Sequence, residues 1–449
     1  MNVIIVGCGS VGRTLAEKLN DDGNAVTVVD TSADKIKKTT DKCDVMGIVG
    51  NGATYTTQRE AGIDSADLLI AVTNSDELNL LCCMVAKKEG HCQTIARVKS
   101  PEYSKETAYL KEELGLAMVI NPEYAGAEEI ARVLRFPSAT KIEPFAKGKV
   151  ELITFKLDKE SQLVGLSVKD LMIKYRHDVL VTTVERGEET YIPNGGFVFE
   201  EKDVVSICAP TRTAYEFFVK IGKKGTAIKK ALIVGGGVIS HYLCEILSRS
   251  GISLTVVEKD LEVCEDLCAQ FDKITVINGE TTDYGLLEEE GAKTADAFVA
   301  LSDSDEENIL LSLFAKDGKA KLITKINRVD YDDVAEKLEL DTTICPRNIT
   351  SAQILRYVRA MQNTRGSDMR ALYSVNDTDV EASEFIVKEN SPIIGKPLLE
   401  LELKKDVLIA SIIRDKTVII PRGHDVIQEG DDVVVVCKTP LYDIAEILK

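Results

Sequence analysis

The stretch Met1-Asn-Val-Ile-Ile-Val-Gly7-Cys8-Gly9-Ser10-Val11-Gly12 decides the fold. Its apolar run, Val3 to Val6, reads as a buried strand that stops at Gly7. Gly7, Gly9 and Gly12 then set out G-x-G-x-x-G at a strand-to-helix turn. In such a turn the first glycine permits the tight bend, the second lets a pyrophosphate approach the backbone, and the third lets the helix lie close to the strand. Val11, Leu15 and Leu19, with Ala16 beside them, predict an amphipathic helix that Gly23 ends. Its unpaired N–H groups and positive dipole end would face a phosphate. A second strand, Ala25 to Val29, runs into Asp30, 18 residues beyond Gly12. A carboxylate there accepts hydrogen bonds from a ribose 2′-OH and repels a 2′-phosphate. A lone glycine motif is weak evidence, but strand, glycines, helix, second strand and terminal acid together predict a nucleotide site.

The whole pattern occurs twice. Asn2-Val-Ile-Ile-Val-Gly-Cys-Gly returns as Lys230-Ala-Leu-Ile-Val-Gly-Gly-Gly, and Asp30 returns as Glu258, each acid 23 residues after its first glycine. Ala61-Gly-Ile-Asp-Ser-Ala-Asp-Leu-Leu-Ile-Ala-Val-Thr-Asn-Ser-Asp-Glu matches Glu290-Gly-Ala-Lys-Thr-Ala-Asp-Ala-Phe-Val-Ala-Leu-Ser-Asp-Ser-Asp-Glu, and Asn79 falls on Asn308. Asn121-Pro122 falls on Cys345-Pro346, and Ile192-Pro-Asn-Gly on Ile420-Pro-Arg-Gly. A period near 228 residues is too long for a solenoid and marks a module copied in tandem.

Each copy has two parts. The first, about 135 residues, alternates strands with amphipathic helices, the pattern of a parallel sheet covered on both faces. Its fourth strand, Leu68 to Thr73, leads into Asn74-Ser-Asp-Glu and a helix with Leu78, Leu81, Cys82 and Val85 on one face. The next strand, Thr94 to Val98, carries Arg97 to the carboxyl edge of the sheet, where nucleotides bind; the competing reading is a surface salt bridge. A helix near Glu123 to Arg135 presents Ala127, Ile130, Ala131 and Leu134 as a stripe for docking on another subunit or another domain. The second part, about 75 residues, is a small α+β unit. It opens on Glu151 to Leu157, which alternates like an edge or half-buried strand, and ends in a helix near Thr211 to Ile221. Ile221 to Lys230 reads as a linker.

Composition narrows the function. The 449 residues call for several domains, and 44% hydrophobic with 29% charged residues is globular. A net charge of −18 disfavours nucleic acid, whose phosphates need a basic face. Apolar runs such as Leu68 to Val72 fall far short of the ~18 residues of a membrane span, and no secretory signal precedes the first strand. Eleven irregularly spaced cysteines, many on apolar helix faces (Cys82, Cys83, Cys244, Cys264, Cys268), read as buried thiols of a reducing cytosol. Cys264 and Cys268 lack a second Cys or His pair, so no metal site is expected.

Val6-Gly-Cys-Gly-Ser-Val-Gly, Val29-Asp30, Val72-Thr-Asn-Ser-Asp-Glu-x-Asn, Ala96-Arg97 and Asn121-Pro122 resemble the regulator-of-potassium-conductance (RCK, or KTN) family, as do the Gly165 and Pro193 to Gly196 turns of the small domain. The resemblance covers nearly the whole chain, including its duplication, and implies two Rossmann-like doubly wound parallel-sheet domains (1–140 and 228–365), each followed by a small α+β RCK C-terminal domain (141–220 and 366–449). It further implies a cytoplasmic regulatory subunit, peripheral on the inner face of the cell membrane. Such a subunit binds NAD(H), with ATP or ADP as the other candidates, assembles as a homo-oligomer, a tetramer by the resemblance, and gates a Trk-type potassium-translocating membrane subunit. The positions carried over to the nucleotide are Gly7, Cys8, Gly9, Ser10, Val11, Gly12, Asp30, Asn51, Thr73, Asn74 and Arg97, then Gly235, Gly236, Gly237, Val238, Ile239, Glu258 and Lys325. The second copy departs from the pattern with Ser240 at the third glycine and Lys325 at the Arg97 position, which predicts a weaker or differently selective site.

The rival class is an NAD-dependent oxidoreductase. It would need a substrate domain and a proton donor against the nicotinamide. The small domains are thin for that task, the four histidines (His91, His177, His241, His424) are scattered, and no P-loop lysine motif is present. No catalytic residue is therefore expected.

Overall fold

A computed structural model describes residues 1–449 except 91, 140, 146–147, 176–178, 188, 222–227, 249, 329–330, 339, 364–368, 375–379, 416, 440 and 442. Most of the expected linker thus lies outside the described residues. The chain starts with β1 (Asn2–Val6), α1 (Ser10–Asp21), β2 (Ala25–Asp30), α2 (Ala33–Thr40), β3 (Met46–Val49), α3 (Tyr55–Glu60) and β4 (Leu68–Ala71). It continues through α4 (Asp76–Gly90), β5 (Gln93–Arg97), α5 (Pro101–Lys105), α6 (Thr107–Glu113), β6 (Met118–Ile120) and α7 (Pro122–Arg135). The six strands form one parallel sheet in the order β3-β2-β1-β4-β5-β6. The order in which strands are added reverses between β1 and β4, and at that switch point the carboxyl ends of the strands leave a crevice.

Close packing at this point depends on two glycines. Gly7 has φ +105°, and a Cβ on Gly12 would lie 1.8 Å from the Gly7 carbonyl oxygen. No side chain fits there, so α1 rests directly on the end of β1. Val3 to Val6 are all buried, as are Val11, Leu15, Ala16 and Leu19 on α1.

A small domain follows, with β7 (Lys141–Phe145), β8 (Val150–Lys156), α8 (Val168–Tyr175), β9 (Leu180–Arg186), β10 (Glu189–Tyr191), β11 (Val204–Ala209) and α9 (Thr211–Lys220). Its antiparallel sheet runs β10-β9-β11-β8-β7. The second copy begins with β12 (Lys230–Val234), α10 (Val238–Leu247), β13 (Ser253–Glu258), α11 (Leu261–Gln270), β14 (Ile274–Asn278) and α12 (Tyr284–Glu289). It goes on through β15 (Ala297–Ala300), α13 (Asp305–Ala315), β16 (Lys321–Lys325), α14 (Asp332–Lys337), β17 (Thr342–Ile344) and α15 (Pro346–Asn363), again a parallel sheet, β14-β13-β12-β15-β16-β17. Strands β18 (Met369–Ser374), β19 (Glu381–Ile386), β20 (Val407–Arg414), β21 (Thr417–Ile419) and β22 (Asp432–Cys437) complete a second antiparallel sheet, β18-β19-β22-β20-β21.

These parts gather into two compact units. One joins residues 1–134 to 228–355 and holds both parallel sheets; the other joins 135–227 to 356–449 and holds both antiparallel sheets. In the first unit, Ala127, Ile130, Ala131 and Leu134 of α7 are fully buried in one cluster with Ile239, Leu243 and Leu247 of α10. Tyr242 reinforces the seam: its hydroxyl accepts from Asn121 Nδ2 at 2.9 Å and donates to the Lys99 carbonyl at 3.0 Å, while its ring meets Tyr124 edge-on at 5.3 Å. The α7 stripe therefore docks on another domain of its own chain. Of the two partners the sequence left open, this leaves no apolar face there for a second subunit.

In the second unit the two antiparallel sheets share a core of Phe145, Val150, Leu152 and Cys208 with Val380, Ala382, Ala410, Val434 and Val436. This corrects the reading of Glu151 to Leu157. Strand β8 is an interior strand between β11 and β7, buried from Val150 to Phe155, and its alternating polar residues, Glu151 and Thr154, are buried too. Ile153 and Phe155 pack in the small domain's own core and Val150 and Leu152 in the core shared with the other sheet, so both faces of the strand are covered.

Two further expectations shift. On α4 the buried face is Asn79, Cys82, Cys83 and Ala86, whereas Leu81 is 46% exposed. Its counterpart Leu310 on α13 is 55% exposed. Cys268 is exposed rather than buried, while Cys82, Cys83, Cys244 and Cys264 are buried free thiols. No helix among the described residues is long and apolar enough to cross a membrane.

A repeated ion pair fixes both small domains. Arg186 grips buried Asp203 through Nε and Nη2, each at 2.8 Å, and Arg414 grips Asp431 at 2.9 and 2.7 Å. Asp203 also accepts the Glu200 N–H at 2.8 Å. Removing one member leaves an uncompensated group. Because Arg186 is partly solvated, Asp203→Ala should cost ~2–4 kcal/mol, read as an earlier urea transition of the full chain.

Candidate functional site

A cleft of about 200 Å³ opens at the β1/β4 switch point, lined by Gly7, Gly9, Asp30, Asn51, Thr73 and Asn74 among others. A Cβ on Gly9 would meet nothing within 4 Å, so the position projects into open space and a side chain there would occupy the cleft. Asp30 ends β2 with both oxygens turned to backbone: Oδ2 accepts the Cys8 N–H at 2.8 Å, and Oδ1 accepts the Ser32 N–H at 2.9 Å. Lys35 Nζ stands 3.9 Å from the same carboxylate. Each oxygen retains a lone pair for a ligand hydroxyl. Burial, and then the Asp30 charge, push the Cys8 thiol up to about 11, so it stays protonated and is no nucleophile.

The opposite wall is held by side chains that the motif reading left without a role. Asn79 is fully buried; its Oδ1 accepts the Thr73 N–H at 2.8 Å and the Thr73 hydroxyl at 2.7 Å, and its Nδ2 donates to the Arg97 carbonyl at 2.9 Å. One amide thus ties the loop after β4 to the end of β5. Asp76, buried at the start of α4, accepts the N–H groups of Lys99 and Ser100 at 3.0 and 2.9 Å. This is a tertiary bond and a stronger reason for an acid there than the helix dipole alone. Gln58 Nε2 donates to the carbonyls of Gly52 and Cys82 at 2.7 and 2.9 Å, fixing the loop that carries Asn51. The duplication contains the signal for two of these. Asn308 repeats the Asn79 bonds on Ser302 and Lys325, and Asp305 repeats those of Asp76 on Asn327 and Arg328.

The remaining predicted residues fall elsewhere. Ser10, Val11 and Arg97 line a second cavity of about 330 Å³, together with Gly237, Val238, Ile239 and Lys325 of the other copy. Helices α1, α7, α10 and α15 all contribute their first residues to it. Arg97 Nη2 pairs with Glu123 Oε1 at 2.8 Å, so the pair is internal and not a surface bridge. Arg97 Nε and Glu123 Oε2 are buried without a partner among the described residues. Lys325 is buried, with Nζ 3.4 Å from the Leu301 carbonyl, and burial lowers its pKa. Four helix N-termini and these cations suit negative charge.

The second copy reproduces the turn with altered parts. Gly235 also has φ +105°, and Glu258 accepts the N–H groups of Gly236 and Asp260 at 2.5 and 2.9 Å, as Asp30 does for Cys8 and Ser32. Ser240 fits the tight position because its hydroxyl donates to the Gly235 carbonyl, the counterpart of the Gly7 oxygen that a side chain on Gly12 would strike. The longer Glu258 side chain lies against Gly236, whose own Cβ would sit 2.9 Å from it. Among the described residues no cluster of three or more His, Cys, Asp or Glu is placed to hold a metal ion.

The comparisons with known proteins agree with this duplicated architecture. The TrkA-N domain model matches residues 3–122 and 231–346, and the TrkA-C domain model matches 152–222 and 382–446. The Trk system potassium uptake protein TrkA homolog 1 of Methanosarcina mazei is 33% identical, covering 97% of each chain. The Trk system potassium uptake protein TrkA of Halomonas elongata is also 33% identical, over 100% of this chain and 99% of its own. Among solved structures, the GsuK channel bound to NAD superposes with a TM-score of 0.65 at 16% identity, covering 98% of this chain and 77% of that one, a likeness of fold. These relatives are named for potassium uptake, and the oxidoreductase alternative falls with them. With both domain models matching twice, in alternation along the chain, the protein belongs to the TrkA family.

Proposed function

We propose that this chain is the nucleotide-responsive regulatory subunit of a Trk-type potassium uptake system, acting from the cytoplasmic face on a potassium-translocating membrane subunit. The observation that carries the reading is the β1/β4 cleft, with Gly9 open to a pyrophosphate and Asp30 set for a ribose. NAD(H) is the ligand this cleft suits best. The adenosine ribose would lie against Asp30, the pyrophosphate over Gly9 at the start of α1, and the loops of Asn51, Thr73 and Asn74 would flank the nucleotide. Gly235, Gly237 and Glu258 support a second, dissimilar site, with Ser240 in place of the third glycine. ATP or ADP is the second reading, favoured by the cation-lined central cavity, where Arg97 and Lys325 from the two copies meet. That cavity would also connect the two sites, since a phosphate entering it touches residues of both.

Nucleotide binding shifts a conformation only by preferring one state to another. The parts able to respond here are α7 and α15, whose first residues stand in the central cavity and within which the chain passes from the first unit to the second. Assembly into a homo-oligomer, a tetramer by family expectation, would use a different surface from the buried α7 stripe. The half-exposed Leu81 and Met84 on α4, and Leu310 on α13, offer it.

Three outcomes test this reading. Gly9→Val should abolish NADH binding at the first site in calorimetry while leaving the circular dichroism of the chain unchanged; intact NADH affinity would remove the assignment. NADH should bind at least tenfold tighter than NADPH, because the 2′-phosphate would meet the Asp30 carboxylate; equal affinities contradict the ribose role. Cells lacking the chain should grow poorly at low potassium when no other uptake system operates, and Gly9→Val should restore uptake that no longer follows nucleotide. For assembly, Leu81→Glu with Leu310→Glu should reduce the sedimentation coefficient of the wild-type oligomer.

A further inference from the structure

The largest of the cavities described, about 580 Å³, belongs to neither nucleotide site. It lies within the first unit, between the outward face of α1, the end of α2, and the start of α15 with Arg328 from the second copy. It shares no residue with the β1/β4 cleft, and only Ser10 and Arg347 with the central cavity.

Its charge is anomalous. The chain carries −18, yet this cavity gathers Arg13, Lys18, Lys38, Lys42, Arg328 and Arg347 against only Glu17 and Asp21. Two of the cations are engaged: Lys42 pairs with Glu17 at 3.0 Å, and Arg328 reaches Glu306 at 3.4 Å. Arg13, Lys18 and Lys38 make no side-chain hydrogen bond or ion pair among the described residues. Arg347 Nε is buried without a partner among the described residues, at the N-terminus of the 18-residue α15, whose dipole adds positive potential. Unpaired cations so close together repel, and bound negative charge relieves that repulsion.

The duplication provides an internal control. The positions equivalent to Arg13, Lys18 and Lys38 in the second copy are His241, Ile246 and Asp266, and Glu123 stands where Arg347 does. The basic cavity is therefore no inherited property of the repeat. It belongs to one side of the pair alone.

We propose that this cavity is a separate binding site for a small polyanion, an oligophosphate of three or more negative charges. Its volume is within the ~300–1,000 Å³ of small-molecule sites. Arg347 links it to the central cavity, because a guanidinium drawn to a phosphate in one is withdrawn from the other. Ser10 links it to the glycine turn. Ligand here and nucleotide in the cleft would thus influence each other's affinity reciprocally.

The test is calorimetric titration of sodium tripolyphosphate into the full chain, alone and with saturating NADH. The expected result is saturable binding at one site per chain that persists with NADH present and in Gly9→Val. Arg13→Glu with Lys38→Glu should weaken it at least tenfold, and Arg13→Gln with Lys38→Gln by a smaller factor. Both positions are exposed, so these variants should fold and keep their NADH affinity within about twofold. Lys325→Met should leave tripolyphosphate binding intact. Absence of binding in the wild type, indifference to the Arg13 and Lys38 variants, or loss in Gly9→Val or Lys325→Met would each overturn the proposal. The last two would place the anion in the nucleotide cleft or the central cavity. Failure of NADH to bind would count against the nucleotide reading alone, since the titration without NADH stands by itself.

Discussion

The glycine turn keeps its shape because a carboxylate from the next strand holds it. Asp30 takes the Cys8 N–H on one oxygen and the Ser32 N–H on the other, so the turn after β1 and the start of α2 share one anchor. A tight turn presents several N–H groups that cannot pair within a helix or sheet, and a buried donor left unpaired is costly. The acid meets that demand and, with its remaining lone pairs, faces the cleft. The ribose contact proposed above and the turn geometry therefore depend on one side chain. Glu258 performs the same service at Gly236 with one methylene more.

Local features of this site were legible in the sequence, because they depend on short spacings. Gly7, Gly9 and Gly12 fall at the positions a strand-to-helix turn requires, and Asp30 is placed by the length of one helix and one strand. The bracing residues were not legible in that way. Asn79, bonded to Thr73, reaches Arg97 over 18 residues, and Asp76 reaches Lys99 and Ser100 over 23 and 24, distances that only the folded sheet closes. Helix α4 shows a further limit. With Leu78, Leu80, Leu81, Cys82 and Cys83 in near succession, its apolar residues circle the axis, and period alone cannot choose the buried face. Strand β8 misled for the opposite reason: polar residues interrupt it at Glu151, Thr154 and Lys156, but protein covers both of its faces. Arg97 was placed correctly at the sheet edge, yet it turns to the cavity between the copies, which single-copy reasoning cannot foresee.

Duplication followed by divergence has left the two copies with shared bracing and unlike surfaces. The Asn79 and Asn308 amides, the Asp76 and Asp305 carboxylates, and the Arg186–Asp203 and Arg414–Asp431 pairs recur in both copies at equivalent places. Such groups are buried and mutually dependent, so changing one leaves another unsatisfied. The glycine at the third position, the cation at the end of β5 and the outward faces of α1 and α10 have all changed. At these places a substitution meets open space or can satisfy itself, as Ser240 does by donating to the carbonyl it would otherwise strike.

The two halves of the first unit are separated along the chain by residues 135–227, which fold into the other unit. Covalent connection makes their association unimolecular, so it does not weaken on dilution as contact between separate subunits would. The Tyr242 seam need only be favourable at the local concentration that the connection enforces. It can therefore open and reclose without the halves parting company. A seam relieved of the duty of holding the molecule together is free to be adjusted for sensitivity, and each half can change its own chemistry without imposing the change on its mate.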